Sequence, residues 1–202
     1  RSLPQKQLVC LAVTCGTMSP MFLFGTLGAW LDSGRAAGCV LAAVLLGGAA
    51  AGQIAKTVCR DEGQDARYAG DGESRTALTL GQAVERASVT MLTVCGCMVL
   101  GSVLCALIEA SFPQLPPWLS LVCACLTEVT GACRRLCALP CPLVWRTALL
   151  SGETAFGAAA ILMQNRACAP RGLMSVTQQV MFQLLHGLIS FFLGLGLALF
   201  SL

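Results

Sequence analysis

The chain has 202 residues, 56% of them hydrophobic and only 11% charged, with a net charge of +3 and a mean hydropathy of +0.75. A soluble domain carries about 25% charged residues, so this composition excludes an ordinary water-facing surface and points to lipid. Basic and aromatic residues are too few on any polar stretch to form a nucleic-acid surface.

Residues 7–31 carry no charge, a length that can span a bilayer. In their middle sits Cys15-Gly16-Thr17-Met18-Ser19-Pro20. Pro20 removes a backbone donor and disfavours helix at Ser19. Two readings stay open: a Pro-kinked span, or a re-entrant hairpin over 8–30 with arms at 8–14 and 21–30. The hairpin is preferred because a later segment repeats its layout. Asp32-Ser33-Gly34-Arg35 reads as a turn. Residues 36–56 read as one spanning helix, and Gly48 and Gly52 suit close helix contact.

Residues 58–78 form the one long hydrophilic stretch, a mixed-charge loop. A second span is expected over 80–109, uncharged from Ala87 to Ile108. Ser111 to Pro117 reads as a turn. A helix is expected over 118–136, with Trp118 at the interface. It would carry Glu128 roughly 15 Å below that level, with Thr130 just beyond it. Residues 143–166 then repeat the first layout: apolar arms around Ser151-Gly152-Glu153-Thr154, followed by Phe156-Gly157. Neither arm is long enough to cross alone. A polar break in apolar sequence is costly unless it lines a cavity, so a second re-entrant hairpin is expected. A last span covers 173–201 and contains His186.

The 13 cysteines lie within apolar runs, where Cys serves as a small buried hydrophobe. Cys133, Cys137 and Cys141 can share a helix face, but no His or second Cys pair completes a metal site. With the 58–78 loop cytoplasmic, ten of the 13 Lys and Arg fall at the inner face. Only Arg1, Lys6 and Arg35 fall outside, as the positive-inside rule requires. The hairpins then enter from opposite faces. That is the inverted-repeat plan of secondary transporters, with repeats at 1–110 and 111–202.

Glu128 and Glu153 are the sharpest chemical features, since carboxylates at bilayer depth usually face a cavity and couple protons or cations. A proton or sodium is therefore the expected coupling ion, with no cofactor and no metal. His186 reads as a relay or, more simply, as a hydrogen-bonded packing histidine. Gln164, Gln178, Gln179 and Gln183 read first as interhelical hydrogen-bonding residues. The expected solute contacts are Gly16, Thr17, Ser19 and Pro20 at the first break. At the second they are Ser151, Gly152, Glu153, Thr154, Phe156 and Gly157. Glu128, Thr130, Gln164 and His186 are expected in support. No nucleophile pairs with a base, so no enzyme is expected.

The residues from Cys15 to Gly25 resemble a Cys-Asn-Asn-Ser-Gly-Pro-x-Phe-x-x-Gly pattern of the YlbJ-type sporulation integral membrane proteins, which carry a nucleoside-recognition Gate domain. The resemblance continues through Leu126 to Gly131, Ala155-Phe156-Gly157-Ala158, Gln164 and Leu184 to Gly187. The chain begins at Arg1, and the resemblance makes it the later portion of a family member. It implies an all-α polytopic fold similar to concentrative nucleoside transporters, in a bacterial cell membrane. It also implies movement of a small solute during spore formation, dipicolinate for the YlbJ group. Two alternatives are a nucleoside-type carrier and a non-transporting scaffold of a sporulation complex. Gly16 and Thr17 stand where the family has Asn, and Glu153 adds a negative charge that opposes an anion. The expected partners are a small solute and the bilayer, with self-association into a homo-oligomer open.

Overall fold

A computed structural model describes residues 4–59, 79–169 and 172–202. The hydrophilic stretch at 58–78 therefore lies almost wholly outside the described residues. Every regular element among those described is helical. Among the described residues, three helices are long and apolar enough to cross a membrane: α3 (Gly34–Val58), α4 (Leu80–Ser111) and α9 (Val176–Ser201). These agree with the three expected spans. Their ends are set by local chemistry. The Ser33 hydroxyl caps α3 at Ala36 N. Thr79 with Gln82 and Ser175 with Gln178 form capping boxes on α4 and α9, which satisfy otherwise orphaned amides.

The other helices are short and come in interrupted pairs. Helix α1 (Gln5–Cys15) stops before a non-helical stretch at 16–19. The chain resumes at Pro20 and passes through a π-helical turn, Phe22–Leu27, into α2 (Gly28–Leu31). The break falls where the sequence places it, but the two arms do not fold back on each other. They lie in succession along α3. Thr14 Oγ1 donates to Gly48 O at 3.3 Å, and further along, Gly28 faces the Ala37 methyl. The expected 8–30 hairpin is thus corrected to a broken helix antiparallel to α3. The physical reason is the glycine groove of α3. Cβ atoms at Gly48 and Gly52 would approach the Thr14 and Cys10 carbonyls to 3.2 and 3.0 Å, so bare glycines seat α1 there directly.

A true helical hairpin occurs instead within 118–136, where one helix was expected. Helix α5 (Pro117–Thr127) ends at Glu128, which is extended (φ −151°, ψ 121°), and α6 (Val129–Cys137) starts afresh. Arg135 on α6 reaches back to Ser120 at the start of α5, donating to its Oγ at 2.7 Å. Fifteen residues in one straight helix would separate these positions by roughly 22 Å, so α6 must return beside α5. Cap chemistry decides this: the Glu128 carboxylate accepts from Thr130 N and Gly131 N, both at 2.7 Å. The same Arg135 guanidinium bonds Glu109 on α4 at 2.6 Å, and so clamps the hairpin base to α4. The tip meets α4 at Gly101, where a Cβ would lie 2.8 Å from Thr127 O. From Glu109 to Gly101 is roughly 12 Å along α4, about half the depth of a hydrocarbon core.

Helix α7 (Leu143–Phe156) runs straight through Ser151-Gly152-Glu153-Thr154, the quartet expected to form a tip. Ser151 and Thr154 turn their hydroxyls onto Thr147 O and Leu150 O at 2.8 and 2.6 Å, so these polar side chains satisfy themselves inside the helix. The break falls at Gly157 (φ 77°) and Ala158 (φ 58°), two successive left-handed residues. Helix α8 (Ala158–Cys168) follows. The expected 143–166 hairpin is corrected in the same way as the first. Ala148 faces Gly194, Phe156 faces Gly187, and Leu162 O accepts from Gln179. The α7–α8 chain therefore advances along α9, antiparallel to it. Helices α3 and α9 are themselves antiparallel, since Gly47 meets Ser190 while Ala55 clusters with Phe182.

Candidate functional site

The interruptions converge. Met18, Leu23, Val129, Cys133, Leu150, Ala155 and Ala158 share one apolar cluster. This packs the first break, the α5–α6 tip and the α7–α8 break into one cluster. Gly101 ties the tip to α4, for it lies against both the tip and the Ala160 methyl.

Inside this apolar zone lies a small polar locus. Glu153, 8% exposed, projects from the last turn of α7. It interacts with the Cys125 thiol of α5 and lies within electrostatic reach of Glu128. Its Oε1 has no hydrogen-bond partner, and neither has the buried Thr130 Oγ1 in the first turn of α6. Glu128 differs, because both of its oxygens are engaged by backbone amides. The two carboxylates that the sequence presents as equivalents therefore have different work. Glu128 organises the hairpin tip, and Glu153 keeps an uncommitted oxygen. A buried acceptor without a partner costs about 1–3 kcal/mol, so its retention calls for a ligand, a proton or water.

The other expected residues separate. Gly16 borders a second polar region, described next, while Ser19 and Pro20 are exposed. Ser19 Oγ accepts from Phe22 N at 3.2 Å and so starts the second arm. Thr17 is half-buried. Ser151 and Thr154 are buried and self-satisfied, and Gly152 and Phe156 serve the α7–α9 contact. Gly157 supplies the break itself. Gln164 is half-buried and lines no described cavity.

The second region is a cavity of about 270 Å³ between α1, the first break, α8 and the start of α9. Its polar lining comes from Asn165, Gln179, Gln183 and His186, with Gly16 at one wall. His186 is 2% exposed, and its Nε2 lies 3.0 Å from Val44 O. A carbonyl only accepts, so Nε2 carries the proton. The tight fit needs Gly48, where a Cβ would come within 3.2 Å of that nitrogen. Gln179 makes the interhelical bond that its chemistry suggested, to Leu162 O at 3.3 Å. Sequence reasoning missed Asn165, and the only signal was its place beside Gln164. The break at Gly157 and Ala158 sets the rotational phase of α8 and turns Asn165, rather than Gln164, to the cavity.

No protein-family model matches the chain, and no curated protein or solved structure matches it either.

Proposed function

We propose that the chain is a multi-pass membrane carrier that moves a small solute, with Glu153 as its coupling carboxylate. One observation carries this reading: a helical hairpin and two broken helices pack into one cluster around a buried carboxylate that has an uncommitted oxygen. Interrupted helices at bilayer depth expose backbone ends and are tolerated where they serve a site.

The arrangement also supports an inverted repeat, with bounds different from those expected. Each unit pairs a broken helix with an unbroken one: α1–α2 with α3, and α7–α8 with α9. The units run in opposite directions because α3 and α9 are antiparallel. In this topology α5–α6 is the re-entrant element, entering from the face that holds Trp30, Trp118 and Trp145. All three tryptophans are at least one-third exposed and form an interfacial belt. The opposite face then carries Lys6, Lys56, Arg86 and Arg166 among the described residues, and the 58–78 stretch that joins α3 to α4 has three more arginines in its sequence. That side is the cytoplasm by the positive-inside rule.

The resemblance to the YlbJ group puts dipicolinate first among solutes to try and spore formation as the setting. The protein in proteoliposomes is assayed for uptake of radiolabelled dipicolinate, with uridine in parallel, with and without a pH or sodium gradient. Saturable flux that is lost in Glu153→Gln supports the carrier. Flux of uridine alone keeps the carrier and overturns the first solute. Absence of any flux from folded protein moves the assignment to a membrane scaffold.

A further inference from the structure

We propose that the cavity between α1, α8 and α9 binds an uncharged solute with paired hydrogen-bond donors and acceptors, of the carboxamide, lactam or urea class. The site is separate from Glu153, which does not line it.

The first argument is the supply of polar groups. Gln179 and His186 are 7% and 2% exposed, so both are held by the fold rather than by solvent. Each spends one group on the scaffold: Gln179 Nε2 on Leu162 O and His186 Nε2 on Val44 O. Each keeps an acceptor, the Gln179 carbonyl oxygen and Nδ1 of the neutral His186 ring. Asn165 and Gln183 add two complete carboxamides, each with donors and an acceptor. No side-chain hydrogen bond among the described residues engages either one. This is a mixed donor–acceptor surface, complementary to another amide.

The second argument is charge. None of the described lining residues is an Asp, Glu, Lys or Arg. Arg166 stands outside the lining and donates to Met174 O at 3.5 Å, so a carboxylate or ammonium placed among the amides would shed hydration without a counter-charge in the lining. An amide exchanges water hydrogen bonds for protein ones at little net cost. The third argument is size and shape. A volume of about 270 Å³ corresponds to roughly nine waters at their liquid volume, enough for one ring with two small substituents. Phe182 and Leu8 give the walls apolar area for a ring face.

The test compares two molecules of one shape: pyridine-2,6-dicarboxamide and the dianionic pyridine-2,6-dicarboxylate. Binding to the purified protein in detergent is measured by isothermal titration. The diamide should bind saturably and at least about tenfold more tightly than the dicarboxylate, a factor set by one unmade buried hydrogen bond. Asn165→Leu and Gln183→Leu should each weaken the diamide by about tenfold, with unaltered size-exclusion profiles. Equal or tighter binding of the dicarboxylate overturns the proposal, as does diamide binding indifferent to both substitutions. No diamide binding by the unsubstituted protein overturns it without reference to any variant. Binding without flux in proteoliposomes upholds this site and removes the carrier reading. Flux without binding does the reverse.

Discussion

Glu128→Gln separates a capping carboxylate from a coupling one. In the folded protein both Glu128 oxygens accept short bonds from the first amides of α6. Glutamine keeps one acceptor and turns an NH2 group toward the other amide. One charge-assisted bond is lost, about 1.5–3 kcal/mol, together with about 0.3–1 kcal/mol of favourable interaction with the helix dipole. The sum is about 2–4 kcal/mol at the hairpin tip. For a protein of this length the apparent Tm should fall by roughly 5–15 °C, read by thermal unfolding in detergent. Glu128→Asp keeps good cap chemistry and should recover most of the loss. A Gln variant that melts like the unsubstituted protein but no longer transports would refute the capping argument and return Glu128 to the coupling role.

Glu153→Gln should behave in the opposite way. It replaces a buried carboxyl group whose Oε1 has no partner with an amide of the same shape, so Tm should hold or rise while flux disappears, and a Tm drop of several degrees counts against the uncommitted oxygen. Gly101→Ala places a methyl 2.8 Å from Thr127 O. Overpacking of about 1–3 kcal/mol outweighs about 1 kcal/mol of helix propensity, so the protein should melt a few degrees lower, and stabilisation would contradict the tip contact. Cys141 precedes α7 and Cys168 ends α8. A membrane-impermeant maleimide with peptide mapping should label them from opposite faces, and same-side labelling would restore a hairpin over 143–166.

The sequence by itself marked the three long apolar spans and the first interruption, at 16–19, and it singled out Glu128, Glu153 and His186 as polar groups in apolar runs. These follow from run lengths, Pro and Gly positions and the cost of charge in lipid, all of which are local. It could not determine which way the chain goes after each interruption. A break at Gly16–Ser19 or at Gly157 permits either a return or an advance. The choice rests on whether the second arm finds its contact on the first arm or further along a neighbour. The glycine faces of α3 and α9 drew both broken helices forward. A carboxylate cap and an arginine reaching across to Ser120 and Glu109 folded α5–α6 back. The roles of the two glutamates were hidden for the same reason. Whether a carboxylate caps a helix or stays uncommitted depends on which amides stand within about 3 Å of it, and only the tertiary structure decides that.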